Sequence, residues 1–178
     1  SLQSGSDTVL KRMNRRYTSE EYEAGCAILR EYYENPAITT DIIVGFPGET
    51  KEEFEETHVF AEKIAFFEMH VFKYSKRAGT KAAVMSNQVP ETVKTERSDR
   101  LLALEEKLSK DYRAGFIGRE ADILIEELVE IKGESWQVGH TREYIRVAIK
   151  ADNDLTGQIV KVKLAGFVEG DTTTLVGE

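Results

Sequence analysis

Apolar positions in the first ninety residues fall at helical spacing, then at strand spacing, and the alternation repeats. Ser6 or Asp7 can cap a short helix that carries Val9, Leu10 and Met13. Thr18-Ser-Glu-Glu21 has the form of a capping box, in which the threonine side chain accepts from a first-turn N–H and the glutamate reaches back to the cap. The helix it opens places Tyr22, Cys26, Leu29 and Tyr33 at helical spacing and is closed by Asn35-Pro36. Ile38 to Val44 is short and β-branched, which predicts a strand covered on both faces. Gly45-Phe-Pro-Gly48 then turns the chain into a second capping box, Thr50-Lys-Glu-Glu53, and a helix with Phe54, Thr57, Ala61 and Ile64 on one face. Met69 to Tyr74 is the next strand. Alternation of this kind predicts βα units on a parallel sheet.

The pattern changes twice more. From Pro90 to Tyr112 the chain is charged and helical, with Leu101, Leu104, Leu108 and Tyr112 as a narrow apolar stripe, which predicts a connecting helix. Beyond Gly115 strand alternation takes over: Ile123 and Ile125; Ile145, Val147 and Ile149; Val160, Val162 and Leu164; Thr174 to Val176. Glycines 133, 139, 157, 166 and 170 punctuate these segments as turns, and a small closed all-β barrel is the economical arrangement because closure removes exposed edges. Trp136 is expected in a loop of this module, covering the barrel end or stacking a base. The expected division is an α/β unit over 1–112 and a β module over 113–178.

Composition narrows the functional classes. A formal charge of -8 argues against nucleic-acid binding by bulk attraction, so any RNA contact must be a local patch. Cys26 is the only cysteine, so the chain holds no disulfide framework and no all-cysteine metal site. No apolar run reaches the length of a membrane span, and a cytoplasmic protein is expected. The chain opens in a Gly/Ser loop without an initiator methionine, which points to a segment of a longer protein.

Three segments can carry chemistry. Gln3-Ser4-Gly5-Ser6, followed by Arg15 and Arg16, joins a hydroxyl-rich turn to a helix and an arginine suited to a bidentate carboxylate pair, although a capped helix with a solvated arginine pair has the same pattern. Asp41 to Thr50 runs a strand into a Gly-Pro-Gly turn, where parallel sheets meet their ligands, or else makes only a tight connection. Val71 to Thr80 ends a strand in a hydroxyl, the cations Lys76 and Arg77, and a glycine, a pattern shared by adenine or anion sites and by basic surface loops. His58 and His70 lack partners at metal-ligand spacing.

Taken in order and spacing, Gln-Ser-Gly-Ser, Met-x-Arg-x-Tyr-Thr, Thr-Asp-Ile-Ile-Val-Gly-Phe-Pro-Gly-Glu-Thr and Phe-x-Tyr-Ser-x-Arg-x-Gly-Thr resemble the methylthiotransferase branch of radical-SAM enzymes. Gly139-His-Thr-Arg-Glu-Tyr-Ile-Arg-Val147 and Leu155 to Val162 resemble a TRAM domain. The resemblance implies the C-terminal half of a radical-SAM TIM-like partial barrel followed by a TRAM β-barrel. It implies a parent enzyme that uses S-adenosylmethionine and two 4Fe-4S clusters to methylthiolate a modified adenosine beside the tRNA anticodon. The missing N-terminal cluster domain and first half of the barrel would then precede this chain. The stretches Gly-His-Thr-Arg-Glu-Tyr-Ile and Tyr-Ser-Lys-Arg-Ala-Gly-Thr are most similar to the threonylcarbamoyladenosine subgroup, with the isopentenyladenosine and ribosomal-protein enzymes close by.

Carried over by position, Gln3, Ser4 and Ser6 would line the S-adenosylmethionine pocket, Arg15 would meet its carboxylate, and Val71 and Phe72 would face the adenine through their backbone. The tRNA would be held by Arg142, Tyr144, Arg146, Lys161 and Lys163. Two departures stand out: Glu49 lies one place beyond the family's glycine-strand motif, and Lys73, Lys76, Ala78 and Lys81 occupy places where relatives carry proline. With one cysteine the segment itself is expected to hold no cluster, no metal and no catalytic residue, and to be inactive alone. The rival expectation is a stand-alone RNA-binding or regulatory module that keeps a degenerate barrel.

Overall fold

A computed structural model describes residues 1–178, a mixed α/β chain that divides into two units, Ser1–Leu108 and Ser109–Glu178. In the first unit β1 (Thr39–Val44) pairs in parallel with β2 (Glu68–Lys73). On the other edge of β1, Gln3 adds a parallel bridge: its N–H donates to the Asp41 carbonyl at 2.8 Å, and its own carbonyl accepts from the Ile43 N–H at 2.9 Å. Helices α1 (Asp7–Arg12), α2 (Ser19–Tyr32) and α3 (Lys51–Ile64) connect these segments. Both capping boxes form, with Thr18 bonded to Glu21 and Thr50 to Glu53. Ser6 stands at the cap of α1, but its hydroxyl makes no capping bond.

Pleat parity sorts the sheet into two faces. Leu2, Ile42, Val44 and Met69 join Cys26, Phe54, Ala61, Ile64 and Leu101 in one core, so the helices cover that face. Gln3, Asp41, Ile43 and Phe72 point the other way. The strand expected to be covered on both faces is therefore covered on one; its burial alternates, and Phe72 beside it is 54% exposed. On α2 only Cys26 is buried, while Leu29 and Tyr33 are exposed. Gly5 is required where the chain crosses α3, because a Cβ there would stand 2.7 Å from the Phe60 side chain and 2.9 Å from the Thr57 backbone. The short helix α4 (Lys81–Val84) follows β2, and the connecting helix α5 spans Glu91–Ala114 with Leu101, Leu104 and Leu108 buried. No helix is long and apolar enough to cross a membrane.

The second unit is a closed barrel of β3 (Glu120–Ile131), β4 (Glu134–His140), β5 (Arg146–Ile149), β6 (Ile159–Phe167) and β7 (Thr174–Gly177), in the order β3-β4-β5-β7-β6. Ile123, Ile125, Ile145, Val147 and Leu164 fill its interior, each contributing about 1.5–3 kcal/mol of burial. Strand β4 was not foreseen, since Gln137 and Gly139 break its apolar alternation. Trp136 lies in this strand rather than in a loop, under the Lys150 ammonium at 4.9 Å from the ring centre. Gly139 and Gly166 also lie within strands rather than turns. Gly139 faces a β-bulge between Ile125 and Glu127, where a Cβ would stand 1.8 Å from the Leu124 carbonyl.

Candidate functional site

The helix-free face of the parallel sheet floors a cleft of about 600 Å³. Asp41, Ile43 and Phe72 supply the floor by parity and Gln3 by its left-handed backbone, φ 67°; Phe46 comes from the turn after β1; Tyr74, Ser75, Arg77, Thr80 and Ala82 come from the segment after β2; Met13 and Arg15 follow α1. Local structure aims each of these. Asn14 adopts φ 61°, Asn14 N–H donates to the Lys11 carbonyl and Arg15 N–H donates to the Leu10 carbonyl, a Schellman ending that directs the chain and Arg15 away from the helix. Tyr74 N–H extends the ladder to the Val44 carbonyl at 2.9 Å, and the Tyr74 ring meets Phe46 edge-on at 5.3 Å.

Charge in the cleft is uneven. The Asp41 carboxylate accepts from Ser1 Oγ at 2.5 Å and sits 3.2 Å from His70 Nδ1, contacts that hold its pKa below the usual carboxylate value. Lys73 is paired with Glu91 at 2.8 Å. The guanidinium groups of Arg15 and Arg77 make no ion pair and no hydrogen bond within the chain. Two unpaired guanidinium groups among Met13, Ile43, Phe46 and Phe72 suit an elongated ligand with an anionic end and an apolar or aromatic body.

Of the residues assigned to a cofactor pocket from sequence, the cleft gathers Gln3, Arg15 and Phe72. Ser4 and Ser6 are wholly buried and do not reach it. The Ser4 hydroxyl instead shares a 3.0 Å hydrogen bond with Thr57, whose hydroxyl also accepts from Gly5 N–H, and the Ser6 hydroxyl has no partner. Val71 packs on the helix side of the sheet, so only its backbone borders the cleft side. Asp41, Ile43, Phe46 and Tyr74 were not singled out as ligand-facing; parity from Phe72, which lies opposite Ile43, would have found the first two.

Behind the turn after β1, Glu49 is buried and accepts from Gly45 N–H at 2.9 Å and from Arg97 at 2.5 Å. Arg97 also donates to the Glu49 carbonyl and stacks over Phe54 at 5.4 Å. Burial pushes the Glu49 carboxyl above its ordinary pKa, against the opposing pull of Gly45 N–H and Arg97. Glu49 therefore braces the Gly-Pro-Gly turn from inside and does not line the cleft.

On the barrel, Lys161 and Lys163 are exposed on one face of β6 as alternation requires, opposite Asp122 and Glu120 of β3. Arg146 donates to Thr174 Oγ1 at 3.0 Å and lies 3.5 Å from Glu127. Arg142 and Tyr144 are exposed in the connection between β4 and β5. The cations thus alternate with carboxylates rather than forming a uniform positive surface.

The radical SAM superfamily profile matches residues 1–61. Over 169 residues, 93% of this chain, it is 48% identical to the threonylcarbamoyladenosine tRNA methylthiotransferase of Bacillus subtilis (strain 168) and covers 38% of that protein. It is 43% identical over 163 residues, 92% of the chain, to the tRNA-2-methylthio-N(6)-dimethylallyladenosine synthase of Acetivibrio thermocellus, covering 34% of it. The chain thus spans little more than a third of the length of these relatives. By class it is a member of the radical-SAM superfamily. Within that class it belongs to the methylthiotransferase family.

Chemistry of this family calls on S-adenosylmethionine and an iron–sulfur cluster, and the residues here fit the two unequally. The cleft offers an unpaired arginine and apolar walls, donor chemistry that suits the first. A cluster needs several thiolates, and Cys26 is one buried thiol whose pKa burial raises. The residues of this chain do not fit a cluster.

Proposed function

We propose that the full-length protein carrying this chain methylthiolates N6-threonylcarbamoyladenosine beside the anticodon of a cytoplasmic tRNA. The observation that carries the reading is the cleft on the helix-free face of the sheet, with Arg15 unpaired at its edge, in a chain 48% identical to a threonylcarbamoyladenosine tRNA methylthiotransferase. Residues 1–112 serve as the C-terminal half of a radical-SAM barrel, whose interior face is the floor formed by Gln3, Asp41, Ile43 and Phe72. Arg15 holds the carboxylate of S-adenosylmethionine, Gln3 and the backbone at Val71 and Phe72 border its adenosyl part, and Ser4 and Ser6 support the turn through Thr57 and α1. Bound there, S-adenosylmethionine supplies the radical and methyl chemistry.

Both 4Fe-4S clusters belong to the remainder of the protein, because the thiolates must come from outside this segment. The barrel of residues 113–178 acts as a TRAM module, with Arg142, Arg146, Lys161 and Lys163 contacting tRNA phosphates and Tyr144 near a base. Mass spectrometry of tRNA nucleosides from cells lacking the gene tests the reading. Loss of the methylthio group from threonylcarbamoyladenosine is expected. Loss from dimethylallyladenosine instead would move the substrate to that of the Acetivibrio relative, and an unchanged nucleoside profile would refute tRNA methylthiolation.

A further inference from the structure

We propose that the outer wall of the barrel carries a stacking platform for an unpaired nucleobase, built on Tyr144 and His140 and continued by Leu124 and Ile159. The inference rests on the tRNA reading above and adds where, and by what force, a base is held.

Strand register brings these side chains together. Ile159 of β6 lies opposite Leu124 of β3, Leu124 lies opposite His140 of β4, and His140 lies opposite Arg146 of β5. Directly opposed residues project to the same side of a sheet, so four adjacent strands deliver an apolar, apolar, aromatic and cationic row to one surface. Ile159 is 72% exposed and Leu124 43%, which is unusual for neighbours on a barrel whose other large aliphatic side chains lie mostly inside.

The aromatic end of the row is built rather than accidental. The Tyr144 ring stacks on His140 with centres 4.8 Å apart and planes 19° apart. Glu126, the extra residue of the β3 bulge, fixes His140 by a 2.6 Å contact at Nδ1. Tyr144 has φ 65°, a left-handed conformation that a bulky residue adopts only where its surroundings impose it. Thr141 imposes it: its carbonyl accepts from Tyr144 N–H, its N–H donates to the Ile145 carbonyl, and its hydroxyl accepts from Glu143 and Ile145 N–H. The outcome is a tyrosine held rigidly outward, still 65% exposed.

An ordered ring beside apolar side chains and a guanidinium matches a nucleobase with its phosphate, and every base offers a face to such a surface. Stacking also needs no net positive charge, which fits a chain of charge -8 whose barrel cations alternate with carboxylates.

The experiment uses the full-length protein, an anticodon stem-loop RNA carrying 2-aminopurine in its loop, and a fully paired RNA duplex as control. Tyr144→Ala is expected to weaken stem-loop binding about tenfold, with the salt slope unchanged because no counterions are released by stacking. Wild-type protein should quench the 2-aminopurine, Tyr144→Phe should keep affinity and quenching, and duplex binding should not respond to any of these changes. Tyr144→Gly guards against misfolding, since glycine suits the left-handed backbone: it should unfold no earlier than wild type yet lose the quenching. Equal stem-loop affinity in wild type and Tyr144→Ala would overturn the platform. So would Phe behaving like Ala, an equal loss on duplex, or self-association that disappears in Leu124→Ser/Ile159→Ser while RNA binding persists. Absence of RNA binding by the wild-type protein would instead reject the tRNA reading itself.

Discussion

Removing Arg97 isolates a deeply buried ion pair of the first unit. Glu49 and Arg97 have side chains only 2% and 8% exposed, and they meet at 2.5 Å. In Arg97→Met the volume is largely kept, but the Glu49 carboxylate stays buried with Gly45 N–H as its remaining donor. Leaving one member of a buried pair alone costs about 3–5 kcal/mol. Glu49→Gln with Arg97→Met removes both charges and keeps an acceptor for Gly45, so most of that loss should return, to within about 1–2 kcal/mol of wild type, because neutral replacements of buried pairs are close to isoenergetic.

The pH dependence of this variant has a definite sign. The folded Glu49 pKa already lies above its unfolded value because burial outweighs its partners. Such an acid destabilises the fold as pH rises from the unfolded pKa through the folded one. Loss of the Arg97 guanidinium raises the folded pKa further, so the single variant should lose more stability near neutral pH than at mildly acidic pH. Urea unfolding followed by helical ellipticity, which reports the first unit, measures both. A loss under about 1 kcal/mol at neutral pH, or a loss that grows on acidification, would refute the account.

Other perturbations follow from the same geometry. Arg15→Ala in the full-length protein should weaken S-adenosylmethionine binding by roughly 1.5–3 kcal/mol by titration calorimetry, the scale of a hydrogen bond to a charged group. Arg146→Ala with Lys161→Ala should lower tRNA affinity and reduce the salt slope by on the order of one per lost phosphate contact, read from binding isotherms at several salt concentrations. Gly139→Ala should destabilise the barrel, monitored by Trp136 fluorescence, since its Cβ would collide with the Leu124 carbonyl at 1.8 Å. This chain, reconstituted anaerobically with iron and sulfide, should show no cluster charge-transfer absorption, because a single buried thiol cannot replace several thiolates.

How much of this was legible in the sequence depended on whether the signal was local. Both capping boxes were readable from Thr18 and Thr50, since the donors and acceptors lie three residues apart and need no tertiary partner. The β1 segment was readable from its β-branched run, β2 from its place in the alternation of helical and strand spacing, and the barrel from short segments of alternating apolar residues. Strand β4 was hidden because its inward positions include Gln137, whose side chain is satisfied by the Asn153 carbonyl and Leu155 N–H across the barrel, and Gly139, which is small only because a bulge crowds it. Neither fact has any trace in the four residues on either side.

The site was legible in identity but not in direction. Val71 and Phe72 are consecutive in a pleated strand, which must send them to opposite faces. Gln3 and Ser4 are parted by the left-handed backbone of Gln3, φ 67°, which turns its side chain from the core face of its bridge partner Ile42 to the cleft. A pocket on one face can therefore take the side chain of only one member of each pair. Here Gln3 and Phe72 face the cleft, while Ser4 and Val71 face the helices. The same parity selects Asp41 and Ile43 over Ile42, and it reaches the barrel, where Lys161 and Lys163 share a surface with Ile159 but not with Val162. Motif matching names a stretch without regard to side, so it enrols both members of each pair. Parity then divides the stretch into side chains that touch a ligand and side chains that hold the wall behind it. Changes at Ser4 should therefore register in stability through Thr57, and changes at Gln3 in ligand affinity, although the two residues are adjacent in the chain.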